Sequence, residues 1–163
     1  MTRVSLDTQI IIAILTNNAS SHRPSEEWRG IRDITTDIDA GATVLVLPTL
    51  VFAELLPSHH GNAVGKVERL FQRKAVELKD LTVAIAERAG ELRDAGRLGS
   101  GKRLKTPDAI FIATAELSGC DCLYSSDPDV YRATGARIPL RKPASAQLSL
   151  LPGEAFSFDW AGA

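Results

Sequence analysis

Residues Thr43–Leu47 read TVLVL, an apolar run with Pro48 as its stop. A strand with one wet face alternates apolar and polar residues, so an unbroken run belongs to a strand covered on both faces. Such cover is typical of a parallel sheet with helices packed on each side. The rest of the chain supplies the partners that such a sheet needs.

Arg3–Leu6 is a short apolar strand that ends at Asp7, and Thr8–Leu15 reads as the helix after it, with residues 18–24 as a polar loop. Ser25 is suited to cap a second helix, Glu26 and Glu27 favour its first turn, and Trp28, Ile31, Ile34 and Ile38 recur at helical spacing up to Gly41. After Pro48, Thr49 can cap a helix carrying Leu50, Phe52 and Glu54, and a further helix is predicted from Asn62 to Phe71. Val76–Leu81 reads as extended. Thr82 caps a helix over Val83–Ala95 that Gly96 is expected to close, which leaves 97–105 as a basic loop. Thr106 and Pro107 suit the cap and first position of a nearly all-apolar helix running to Leu117. Asp121–Tyr124 is a strand followed by a turn over 125–129, and Ile138–Leu140 is a last strand candidate. Strands alternating with helices predict an α/β fold, a central, mainly parallel sheet flanked by helices in three layers. Residues 1–140 are expected to form the domain. Residues 141–163, with Phe156, Phe158 and Trp160 at alternate positions, are expected to be an extension docking on it.

The chain has 163 residues, enough for one domain with a real core, and a formal net charge of -1, so no global positive field recruits nucleic acid. Cys120 and Cys122 share a strand face, where a bridge would be strained, and no second pair completes a zinc site; two buried free thiols suit a reducing cytoplasm. The adjacent His59 and His60 follow Pro57-Ser58 and read as loop residues. The N-terminal apolar run is too short to span a bilayer and is interrupted by Asp7, so neither a membrane span nor a signal peptide is expected.

Four acids stand out against this frame. Asp7 and Asp127 follow apolar strands, at the sheet edge where α/β proteins form their sites. Asp108 lies at a helix start, where the helix dipole favours a carboxylate. Glu54 sits in an apolar helix between Ala53 and Leu55, a costly place for an ionised acid unless it is paired or metal-bound. Each also has a bland reading: Asp7 as loop acid or helix cap, Asp108 as helix-start chemistry, Asp127 as a turn residue before Pro128, Glu54 as an exposed helix position. If the four converge, two carboxylates ~5 Å apart at an effective dielectric of ~20 repel by roughly 3 kcal/mol, and a divalent cation reverses the sign. An all-oxygen set suits Mg²⁺ or Mn²⁺.

The segments RVSLDT, VFAELL, TPDAIFIATA and LYSSDPDV, in that order over roughly residues 3–140, resemble the PIN-domain family, and more closely the VapC-type toxins of bacterial toxin–antitoxin pairs. The resemblance implies a ribonuclease with Asp7, Glu54, Asp108 and Asp127 as catalytic acids and Asp7, Asp108 and Asp127 as ligands of Mg²⁺ or Mn²⁺. Asp129 fills a secondary acidic position, and Thr8 and Ser126 fall where the family places small polar side chains. Gln9 departs from the Ser or Asn usual after this Asp-Thr pair. The partners implied are an RNA substrate, a cognate antitoxin and a second copy of the chain. The basic stretch with Arg97, Lys102, Arg103 and Lys105 leads directly to Thr106 and is placed to steer RNA, or is an ordinary solvated loop. Two competing functions stay open here. One is a Mg²⁺-dependent phosphohydrolase, although its usual Asp-x-Asp is Asp7-Thr8-Gln9 in this chain. The other is a silent binding module that keeps only the fold.

Overall fold

A computed structural model describes residues 1–16, 25–55, 65, 68–70 and 72–143. The elements run β1 (Thr2–Leu6), α1 (Thr8–Thr16), α2 (Ser25–Asp39), β2 (Thr43–Pro48), α3 (Leu50–Leu55), β3 (Val76–Lys79), α4 (Val83–Ser100), α5 (Thr106–Leu117), β4 (Cys122–Tyr124), α6 (Pro128–Tyr131) and β5 (Leu140–Arg141). The five strands form one sheet in the order β3-β2-β1-β4-β5, and every pairing is parallel. All six residues of β2 are buried, as are the last three of β1. Both strands are covered on two faces, as the TVLVL run demands. Helix α2 packs on β2, and α5 packs on β1, β2 and β4. The expected helix from Asn62 to Phe71 is helical at residues 65 and 68–70 and otherwise lies outside the described residues. His59, His60, the 18–24 loop and the aromatic tail residues Phe156, Phe158 and Trp160 also lie outside them.

The sheet has a reversal in its winding. From β1 the chain moves outward through β2 to β3, then returns to the other side of β1 to lay down β4 and β5. The point where the order reverses lies between β1 and β4, and crevices form there beyond the carboxyl ends of the strands. Leu6 pairs with Tyr124 in register, so Asp7 and Ser125 are the first residues past the ends of the two strands.

Helix α4 is longer than the sequence suggests. Gly96 does not close it; the helix continues to Ser100, and Gly101, in the left-handed conformation, caps it with its N–H on the Arg97 carbonyl. Gly96 serves a different need. A Cβ there would stand 3.2 Å from the Lys102 carbonyl and 3.7 Å from the Leu104 N, so the glycine lets the returning loop lie against the helix. Arg97 is therefore an exposed residue of the last helical turn, and the basic loop shrinks to 101–105. Helix α5 takes in Thr106, with Lys105 rather than Thr106 at its cap and no side chain bonded there. Strand β3 ends at Lys79, short of the expected Leu81, β4 begins one residue later than expected, and β5 is shifted to include Arg141.

Away from the crevice, Arg88 ties α4 to α5. It donates to Glu116 through Nε at 2.6 Å, to Glu91 at 2.8 Å and to the Gly135 carbonyl at 2.7 Å. Gly135 holds φ 83°, and a Cβ there would come within 2.8 Å of the Ala95 Cβ. Gly135→Ala is expected to lower stability by about 2 kcal/mol through the backbone cost and the clash together. That is a fall of roughly 4–8 °C in a thermal melt at this chain length. An unchanged Tm would mean that the turn relaxes freely. Cys120 and Cys122 are both buried and free, and burial pushes the Cys120 thiol up to about 12.

An acidic pocket at the switch point of the sheet

Asp7 does three jobs at once. Its backbone N–H donates to the Tyr124 carbonyl at 3.0 Å, which extends the β1–β4 ladder by one step. Its Oδ1 accepts the Ile10 N–H at 2.9 Å, an N-cap bond for α1. Its Oδ2 accepts from the Ser125 hydroxyl. The Ser125 Oγ in turn accepts the Asp127 N–H at 2.9 Å, and Asp127 Oδ1 accepts the Asp129 N–H at 2.8 Å, capping α6. A chain of bonds thus runs from the end of β1 to the start of α6 and locks the turn after β4. Asp7 is only 8% exposed, so the carboxylate is held in a mostly dry position by these donors.

Asp7, Thr8, Glu54, Asp108 and Asp127 line one pocket of about 280 Å³, with Lys105 also on its wall. Each acid reaches it from a different element. Asp7 caps α1 and Asp127 caps α6, Glu54 comes from α3, and Asp108 from the first turn of α5. The Thr8 hydroxyl donates to Glu54, and Gln9 lines the same pocket. Asp108 is the electrostatic focus. Burial pushes its carboxyl up to about 6; Lys105 opposes the rise, while the charges of Asp127, Glu54 and Asp7 add to it. One of its oxygens, Oδ2, is buried with no hydrogen-bond partner among the described residues.

The other residues singled out from the sequence fall elsewhere. Ser126 does not line the pocket; its hydroxyl donates to Glu27, and the serine bonded to Asp7 is Ser125. Asp129 lines a neighbouring groove rather than the acidic pocket and holds Lys102. Arg103 lies 3.3 Å from Asp94, and Lys105 Nζ lies 3.9 Å from Asp127 Oδ2. Arg97 lines neither cavity. Three participants are not visible in the sequence. Ser125 differs from Ser126 only in which face of the turn it meets. Glu27, read as a helix-start acid, is buried, accepts from Ser126 and lies 3.7 Å from Lys142. Arg132 lines the neighbouring groove. No local pattern marks Glu27, because Ser126 and Lys142 come from distant parts of the chain.

A wound parallel sheet with carboxylates gathered at its reversal defines an α/β domain with an acidic crevice. The chain belongs to the PIN-domain family, whose family model matches residues 4–136. No curated protein sequence matches it. Among solved structures it is similar to the DNA-bound VapBC complex of Salmonella typhimurium, at 16% identity and a TM-score of 0.64 over 87% of this chain and 98% of that one. VapBC-1 of nontypeable Haemophilus influenzae is likewise similar, at 16% identity and TM-score 0.62 over 86% and 98%. So is Mycobacterium tuberculosis VapC20, a toxin that cleaves the sarcin-ricin loop, at 18% identity and TM-score 0.58 over 78% and 92%. At these identities the likeness establishes the fold. Among the described residues no helix is long and apolar enough to cross a membrane.

Proposed function

We propose that the chain is an endoribonuclease of the VapC toxin kind, dependent on Mg²⁺ or Mn²⁺. The observation that carries this reading is Asp108, a carboxyl with an unpartnered buried oxygen whose acidity is weakened by burial and by three further carboxylates of the same pocket. Such an arrangement is costly for a protein alone and is relieved by a hard cation. The donor set is all carboxylate, which suits Mg²⁺ or Mn²⁺ rather than zinc.

Among the described residues, no group of three His, Cys, Asp or Glu side chains is arranged to hold a metal ion as it stands. The local bonds account for this. Asp7 is drawn to Ile10 and Ser125, Asp127 to Asp129, and Glu54 to Thr8. The Ile10 and Asp129 N–H groups hold one oxygen each of Asp7 and Asp127, while the Thr8 hydroxyl can turn away from Glu54, so a cation can draw on the remaining carboxylate oxygens with the backbone fixed. Asp7, Asp108 and Asp127 would hold the ion, with Glu54 beside them. Once bound, it would lower the pKa of a coordinated water and neutralise charge on the scissile phosphate. Ser125 keeps Asp7 oriented, and the α6 cap holds Asp127 in place. Products carrying 5′-phosphate and 3′-hydroxyl ends belong to the same reading, as do a cognate antitoxin that silences the enzyme and a homodimer.

Purified protein incubated with RNA and Mn²⁺ is expected to cut the RNA, and EDTA is expected to stop it. A small phosphate ester run in parallel should stay intact, since the pocket lacks a phosphohydrolase Asp-x-Asp. Hydrolysis of the ester with the RNA untouched would reverse the assignment. RNA left whole by folded protein in Mn²⁺ and in Mg²⁺ would end it.

A further inference from the structure

The acidic pocket does not stand alone. A groove of about 310 Å³ adjoins it between the 101–105 loop and the segment from α6 to Thr134, and the two cavities share Lys105 and Asp108 on their walls. The character of the wall changes from one to the other. The pocket carries four carboxylates. The groove carries Lys102, Arg103, Lys105 and Arg132 against Asp108 and Asp129. A polyanion cannot approach four carboxylates unassisted, and a chain of net charge -1 offers no global attraction. Local cations next to the pocket are what the substrate needs.

One of the two most exposed of these cations is already engaged. Lys102, 69% exposed, donates to Asp129, itself 40% exposed, across the groove. Exposed ion pairs are weak and readily exchanged. A phosphate offers Lys102 the same charge-assisted bond with more acceptor oxygens. Asp129 also lies outside the acidic pocket, so its carboxylate faces the groove cation rather than the other acids.

The geometry points to this groove as the seat of a flanking RNA phosphate, with the Lys102–Asp129 pair as a latch that the phosphate displaces. Lys102 and Arg132 bind the phosphate, Lys105 sits at the junction with the cleavage pocket, and Asp129 competes for Lys102 until RNA arrives. The inference rests on the ribonuclease reading for its ligand. It gives Asp129, which the family resemblance puts only at a secondary acidic position, a role that can be told apart from service to the metal. A metal-supporting acid should be needed for function, whereas a latch should restrain binding.

The test is binding of a short fluorescein-labelled single-stranded RNA to the full chain, read by anisotropy in EDTA over a salt series. Asp129→Asn is expected to tighten binding by roughly 3-fold, because it removes the carboxylate that Lys102 bonds across the groove. Lys102→Ala and Arg132→Ala are each expected to weaken it by roughly 3- to 10-fold and to reduce the slope of log affinity against log salt by about 0.7. In the Lys102→Ala background, Asp129→Asn should lose most of its effect, which separates a latch from simple charge removal. An Asp129→Asn protein that binds no tighter than wild type overturns the latch. Unchanged affinity and salt slope in Lys102→Ala and Arg132→Ala overturn the groove. The two readings fail separately. Wild type that cuts RNA in Mn²⁺ while the binding arms stay flat loses the groove alone. Wild type that binds as expected and cuts no RNA loses the nuclease reading alone.

Discussion

Asp7→Asn is expected to reduce RNA cleavage by roughly 10²- to 10³-fold, the cost of removing one preorganised electrostatic group from a reacting centre, while leaving the fold intact. The fold should survive because asparagine can keep the local bonds. Its amide oxygen can accept the Ile10 N–H that Asp7 Oδ1 accepts now, and Asn ranks with Asp as an N-cap. Its NH₂ group meets the Ser125 hydroxyl, which can turn to accept instead of donating. The charge alone is lost, from a residue that is 8% exposed and positioned at once by β1, α1 and the turn after β4. Circular dichroism and a thermal melt check the first half of the statement, and a gel assay of RNA cleavage in Mn²⁺ checks the second. Wild-type turnover by a folded Asp7→Asn protein would remove this residue from the reaction.

Asp7 could be singled out from sequence because the physics that places it is local. An apolar run of β length ends in an acid and a helix begins at the next residue, so the acid must stand at a strand end and a helix cap together. Local signals also mark Asp127, which stands three residues past CLY at the start of a helix, and Asp108, which directly follows the Thr106–Pro107 pair. The two-sided burial of β2 follows from its unbroken apolar run Val44–Leu47. Convergence of the four acids is different in kind, since it depends on a strand order in which β1 is flanked by β2 and β4, and periodicity says nothing about order. Local signals also mislead where packing overrides them. Gly96 reads as a helix stop, but the demand on it is set by the loop that crosses it, and α4 runs on to Gly101. Ser125 and Ser126 are adjacent and chemically identical. Only the register of β4 against β1 decides that the first meets Asp7 and the second meets Glu27. Glu27 meets Ser126 and Lys142 from far along the chain, so no window of sequence contains the reason for its burial.

Asp108→Asn is expected to do two opposite things: abolish most cleavage, by roughly 10²- to 10³-fold, and stabilise the metal-free protein near neutral pH. Burial, with the charges of Asp127, Glu54 and Asp7, lifts the Asp108 carboxyl from an ordinary 3.8 to about 6. An acid whose folded pKa is raised contributes stability as its protonated form; that contribution is complete below the unfolded value and is lost as the pH climbs through the folded one. Above about pH 6 wild type therefore carries an ionised Asp108 that the pocket disfavours. Undiminished, the shift is worth about 3 kcal/mol, and screening on the open side of the pocket reduces this to ~1–2 kcal/mol. Asparagine escapes the cost, so in EDTA at pH 7.5 the variant should melt roughly 3–6 °C above wild type. At pH 4, where Asp108 is largely protonated, the two should melt together. Mn²⁺ should then invert the comparison. A cation bound to the ionised carboxylate stabilises wild type through mass action, and the variant has lost a ligand, so wild type should gain Tm in Mn²⁺ while the variant gains little. This reports on the metal without any reliance on activity. Equal gains in Mn²⁺ for both proteins would show that Asp108 holds no ion, and equal melting in EDTA at both pH values would show that the pocket imposes no cost on its charge.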